Sequence, residues 1–321
     1  MFSATESEGA LTIGVVKTGF LGHSTAVSPE TASALLALVP GEQVRHAHRP
    51  RAYAVSPEPL TGVDCEMPSL SGRRTRGVGT VATRATLTGG RILQSCSYTT
   101  LVPATRDYRR EWSHYLGRPG VVEVIRRMNA EDAAAGFAES DRGARAIELE
   151  LIADAVLTGV QISSLLDRKL PLRAERGAWR WAFQHPGPDE AGIFKFTILR
   201  DGTRLLRLGV SDASLPDLLD LVEDLALHDW LLRTVEAKLE RVQLESGTID
   251  RALPSISALF DHLIHHWMPC ARVKQELLPL WNELDRAIGL TQPWEISVNR
   301  VRDQLRLRGM NHARGPAAGT S

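Results

Sequence analysis

The sequence predicts an α+β fold: a β-rich N-terminal domain with a Gly-Gly hairpin, then a three-stranded antiparallel meander packed by long C-terminal helices. Three observations lead to it. From Leu11 to about Pro103, short runs rich in Val, Thr and Ala are punctuated by Gly and Pro, the texture of strands and turns. From Trp179 to Val210, apolar residues recur with period two, giving each run one apolar face. From Leu218 onward the spacing alternates between three and four, which is a heptad seam.

In the first domain, residues 1–125, one helix interrupts the strands. Ser28 and Pro29 stand as N-cap and first-turn residues before ETASALLALV, and Pro40-Gly41 closes it. The run TVATRATLTGGRILQSCSYTTLV is the clearest local signal, because Gly89-Gly90 supplies the two positive-φ positions of a hairpin turn and places Cys96 in a strand. A helical connector follows over 126–175. It holds one helix after Arg118-Pro119-Gly120 and a stronger one from about Ala146 to Asp167, with ESDRGAR as a solvated loop between them.

Residues 176–308 form the second domain. Trp179, Trp181 and Phe183 alternate, as do Phe194, Phe196 and Ile198, and then Leu206, Leu208 and Val210, with Asp201-Gly202 as a hairpin turn between the last two runs. That aromatic face needs a cover, and two seamed helices are placed to supply it. The first seam is Leu218, Leu221, Leu225, His228, Leu232, Val235, Leu239 and Val242, started by Ser214 and Pro216. The second runs Ile256, Phe260, Leu263, Trp267, Cys270, Lys274, Leu277, Trp281, Leu284 and Ile288. The seams could face each other, the meander or another subunit. A last helix spans about Pro293 to Arg308, and residues 309–321 have the composition of a disordered tail.

The 38 basic residues balance 38 acidic ones, so no overall field recruits nucleic acid or an anionic membrane. Only five of the basic residues are lysine, a bias read as that of a GC-rich bacterial genome. Three scattered cysteines, Cys65, Cys96 and Cys270, make no paired framework. With an acidic, polar start and no long apolar run, the expectation is a cytoplasmic protein with no membrane partner.

HLIHHWMPC, residues 262–270, is the stretch that most suggests a metal. On a helix, His262, His266 and Cys270 share one ridge. However, the ends of that ridge are about 12 Å apart, against zinc–ligand bonds of about 2 Å, so one ion cannot take all three. An i, i+4 pair could chelate zinc with ligands from elsewhere, and HExxH is absent. Pro269 removes a donor and breaks the ridge geometry further. The competing reading, a seam cysteine flanked by half-exposed histidines, leads, and no cofactor is expected. His228, the polar member of the first seam, reads as a hydrogen-bonded core residue that fixes register. Leu225, His228, Leu232, Trp267 and Trp281 are the expected interaction seam.

SGRRTRGVGT brings Arg73, Arg74 and Arg76 together, a possible phosphate contact, although a β-run follows it and the lysine of a phosphate loop is missing. Trp112-Ser113-His114 is a second place where a substrate could be held. No GxSxG elbow, helix-opening GxGxxG or paired-cysteine zinc pattern occurs. The last helix carries Arg300, Arg302, Arg306 and Arg308 around an apolar face, the one local surface suited to nucleic acid, which as a partner is disfavoured.

Three stretches, LTGVDCEMPSLSGRRTRGVGTVATRATLTGGRILQSCSY, WSHYLGRPGVVEVI and EDLALHDWLL, together resemble an uncharacterised family of actinobacterial proteins typified in Streptomyces. The resemblance covers about residues 11–240. It implies a gene cluster shared with a variant P-loop protein and a methyltransferase-like protein. No activity attaches to the family, so no catalytic residue carries over. The leading expectation is a non-enzymatic assembly component that binds itself or a neighbouring gene product through its seams. The alternatives are an enzyme with a metal-assisted or small-molecule site, and nucleic-acid binding through the last helix.

Overall fold

β1 (Leu11–Phe20) is the strand around which the two halves of the chain meet. It pairs antiparallel with β6 (Ile92–Pro103) on one side and with β8 (Gly177–Gln184) on the other. The computed structural model describes residues 11–67, 75–125, 129–139, 147–170, 172–184, 194–210, 213–245 and 262–314. Within them, helices and a mixed ten-stranded sheet make an α+β fold. Strands expected in separate N- and C-terminal units therefore pair in one sheet.

The long strand β5 (Thr75–Thr88) organises the other half. Along one side it pairs with β3 (Tyr53–Val55) and β4 (Leu60–Met67), and along the other with β6 and β7 (Val121–Ile125). β2 (Arg45–Ala47) closes that edge against β3. β5 turns into β6 through Gly89 and Gly90, with φ of +58° and +64°, and Arg91 N–H donates to Thr88 O. The left-handed region is open to glycine at little steric cost, hence two glycines in a row.

After Gly120 the chain enters β7, which runs parallel to β6, instead of the helix expected there. The residues VVEVI are mostly β-branched and all five are buried, so sheet burial decides their conformation. The predicted meander is also corrected. β9 (Phe194–Ile198) and β10 (Arg204–Gly209) form the antiparallel pair around Asp201-Gly202, but β8 pairs in parallel with β10 and leaves β9 at the edge. Period two reports which face a strand buries and says nothing about which neighbour it takes.

Helices cover both faces. On one lie α1 (Pro29–Leu36), whose N-cap Ser28 Oγ accepts from Thr31 N–H, with α3 (Ala130–Glu139) and α4 (Leu149–Gln161). They bury Leu11, Ile13, Val15, Leu87 and Leu93. α2 (Trp112–Leu116) sets Tyr115 against Val78 and Ile125. On the opposite face lies α5 (Leu215–Glu245), over Trp179, Trp181, Phe183, Leu206 and Leu208. Residues 221–232 of α5 are buried all round, because the chain from Leu263 to Val301 packs on the side away from the sheet.

That outer layer is not the second long helix. Ile264–His266 is a single 3-10 turn, residues 267–274 are irregular, Gln275–Leu277 is another 3-10 turn, and only then does α6 (Leu278–Ile288) begin. Pro269 lacks the N–H that an α-helix needs there, and Cys270 takes φ +64° immediately after it. α7 (Thr291–Arg314) completes the layer. No helix among the described residues is long and apolar enough to cross a membrane.

Candidate functional site

A cleft of about 1550 Å³ opens where the α4 face of the sheet is left uncovered. Alternation along β4 puts Thr61, Val63 and Cys65 on the floor with Thr83 of β5, while Leu151, Ile152, Ala155 and Val156 of α4 form the wall. Its charged rim comes from Asp64, Glu66, Arg76, Asp107, Arg109 and Glu148. Asp64 is clamped: Arg76 donates from Nε and Nη2 to its two carboxylate oxygens at 2.6 Å each, and Arg109 Nε lies 3.2 Å from Oδ2. These bonds, those from Arg76 foremost, hold the Asp64 carboxyl below its ordinary pKa. Arg109 in turn lies over the Trp112 ring at 5.1 Å. Cys65 is a poor nucleophile here, since burial first and Asp64 second push its thiol up to about 12.

The opposite face of the sheet holds a buried ionic network that no local motif announces. Arg84 Nε donates to Glu223 Oε1 at 2.6 Å and Arg84 Nη2 to Asp220 Oδ1 at 2.8 Å. Arg272 Nη2 lies 2.7 Å from Glu223 Oε2 and 3.0 Å from Asp220 Oδ1, and Thr86 Oγ1 donates to Glu223 Oε2 at 3.1 Å. Burial opposes the Glu223 charge, yet Arg84 and Arg272 outweigh it and hold the carboxyl below its ordinary range. One helical step on, Asp224 Oδ2 accepts from Cys270 N–H and Trp281 Nε1–H, both at 3.0 Å. His228 is fully buried, with Nδ1 2.7 Å from Asp224 O and its ring edge-on to Trp267 and Trp281.

Of the expected interaction seam, Leu225, His228, Leu232 and Trp281 are buried within the chain, and Trp267 is half-buried with its ring against His228. The helical ridge of His262, His266 and Cys270 does not form, because Ile264–His266 is a 3-10 turn and residues 267–274 are irregular. His266 packs against Gly89 and lies tilted beside His265, with ring centroids 3.9 Å apart, while the backbone N–H of Cys270 is tied to Asp224. Among the described residues no group of three His, Cys, Asp or Glu is placed to hold a metal ion.

Arg73 and Arg74 lie outside the described residues. Arg76 lines the cleft, with its guanidinium bound by Asp64. His114 is held at both ring nitrogens, Nε2 by Glu123 Oε1 at 2.8 Å and Nδ1 by Arg110 Nη1 at 3.2 Å, which gives it a structural part. Arg300, Arg302 and Arg306 are exposed on α7. Sequence reading missed Arg84, Glu223 and Arg272. A signal was present for the first two: Arg84 falls on the same strand face as Ala82 and Thr86, and Glu223 and Asp224 sit among the seam leucines of α5.

His266 yields a pH prediction. Its pKa is pushed down from 6.5 to about 3, by burial first and then by His265, Arg51, Arg91 and His262. The folded protein keeps it neutral where the unfolded chain would protonate it. Its stabilising contribution is therefore complete above pH 6.5 and is lost toward pH 3, by up to about 1.4 kcal/mol per pH unit. Urea midpoints should fall between about pH 6.5 and pH 5, and His266→Gln should flatten that fall; an unchanged slope in the variant would assign it to another group.

Comparison of the chain with protein-family models, with curated proteins and with solved structures gives no match, so the reading of this site rests on its own geometry.

Proposed function

We propose that the chain is a non-catalytic, cytoplasmic binding component of a multiprotein system, which holds an extended segment of a partner protein in the cleft between β4 and α4. Size supports this over a metabolite site. Small-molecule pockets run to roughly 300–1,000 Å³, and this cleft, at about 1550 Å³, suits an elongated occupant. β4 pairs with β5 and with no other strand among the described residues, so its outer row of backbone N–H and C=O groups is open to an added strand. Leu60 on that strand, Trp112 beside its Gly62 and Tyr108 in the cleft lining are large and exposed. Binding is favoured over chemistry because the cleft pairs a raised-pKa thiol with a carboxylate locked by two arginines. The free thiols of Cys65, Cys96 and Cys270 suit a reducing compartment.

The test is selection of a displayed random-peptide library on the whole protein. Enriched peptides should bind at least about tenfold more weakly to Ala155→Trp, a change at an exposed wall position that fills the cleft and spares the core. Peptides that bind both proteins equally, or a selection that enriches none, would overturn the reading.

A further inference from the structure

Arg51 is 6% exposed, and its Nε and Nη2 have no hydrogen-bond partner among the described residues. A buried guanidinium with unsatisfied donors is costly, and two neighbours also carry unsatisfied buried nitrogens. Arg272 Nε and Nη1 and His266 Nε2 are likewise buried without partners among the described residues, on side chains of residues 7% and 4% exposed.

The fold brings these groups to one place. Ala52, next to Arg51, accepts from Gly89 N–H at 2.8 Å, and the His266 ring rests on Gly89 so closely that a Cβ there would lie 2.1 Å from it. Tyr53, two residues after Arg51, has the Arg272 guanidinium over its ring at 4.9 Å. Arg51 interacts electrostatically with both Arg272 and Asp224. Asp224 adds a feature of the opposite kind: its Oδ1 is a buried acceptor with no partner among the described residues.

The set is therefore five donor-capable nitrogens and one carboxylate acceptor. A bare anion would satisfy the guanidinium groups and repel Asp224. A cation would do the reverse. A protonated phosphate does both jobs, because its anionic oxygens accept from arginine while its O–H donates to a carboxylate. The geometry points to an enclosed site for a free, protonated phosphate ion, formed by Arg51, Arg272 and His266 with Asp224 accepting the phosphate O–H. The low exposure of these residues favours the free ion over a phosphate carried by a larger molecule.

The site is separate from the cleft and lies on the opposite face of the sheet, so it can be tested without any peptide. Thermal unfolding of the whole protein is followed against inorganic phosphate, sulfate, chloride and AMP at matched ionic strength and neutral pH. Phosphate should raise Tm saturably, whereas sulfate, which has no O–H at that pH, and AMP should shift it no more than chloride does. Arg51→Met should fold with an unchanged or higher Tm in chloride and lose the phosphate shift. His266→Gln should weaken phosphate binding at least about tenfold. Equal shifts with sulfate or AMP, a full phosphate shift in Arg51→Met, or no phosphate shift in the unsubstituted protein would each overturn the assignment.

Discussion

Glu223→Gln is expected to lower unfolding stability by about 3–5 kcal/mol, the loss typical of breaking a buried ion pair from one side. The carboxylate is fully buried and receives Arg84 at one oxygen and Arg272 with Thr86 at the other. An amide of the same shape removes the charge and places NH₂ donors where guanidinium donors already point. Arg84 and Arg272 are then left with Asp220, whose side chain is one-third exposed and shares its Oδ1 between them. Against a total stability of about 5–15 kcal/mol, this change alone brings the protein near its unfolding threshold.

The loss comes from a stranded charge and not from a missing contact, which a second protein can show. Arg84→Met/Glu223→Leu/Arg272→Met removes the three side chains together and should be far less destabilising than Glu223→Gln alone, since apolar replacement of a buried ionic triad is often neutral or favourable. Both are read from urea midpoints at pH 7. Glu223→Gln within about 0.5 kcal/mol of the parent would sink the account. The pH signature differs from that of His266: the folded pKa of Glu223 is depressed, so its contribution is complete above 4.5 and disappears as pH falls through the lowered folded value.

Much of the fold is legible in local sequence because local physics decides it. Ser28 and Pro29 announce α1, the heptad spacing announces α5, and the alternation of Trp179, Trp181 and Phe183 announces the face that α5 covers. What could not be read is pairing between distant segments. Nothing near Leu11 says that β1 will separate β6 from β8, and nothing in the spacing of Leu206 and Leu208 says that β10 will run parallel to β8.

The second seam misleads for an instructive reason. Leu263, Leu277, Trp281 and Leu284 all pack in the core cluster of α5, so they keep an apolar rhythm across a segment that is not one helix. Burial against a common helix imitates continuity, and only Pro269 marks the break. The ionic network was hidden differently: Arg84, Glu223 and Arg272 come from a strand, a helix and an irregular segment, and complementary charges carry no spacing rule across such distances.

The second large effect is expected at Gly14, where the sheet leaves no room for a methyl group. β1 is a central strand, and Gly14 stands between Tyr98 of β6 and Trp181 of β8. A Cβ there would lie 2.1 Å from Trp181 Cζ2 and 2.4 Å from Cε2. Neither side can yield easily. Hydrogen bonds to strands on both sides hold the backbone, and the Trp181 ring is fully buried, stacked on Phe183 at 4.5 Å and covered by the α5 layer. Gly14→Ala should therefore cost about 3 kcal/mol, at the upper end of the range for overpacking. Trp181→Leu should itself cost about 3 kcal/mol or more by leaving a cavity. Together they should cost less than their sum, because the smaller side chain vacates the volume the new methyl needs, with a coupling of roughly 1–3 kcal/mol. Denaturant unfolding of the four proteins in this cycle measures the coupling directly. Strict additivity would mean that the ring and the glycine do not compete for space, and that Gly14 is needed in β1 for some other reason.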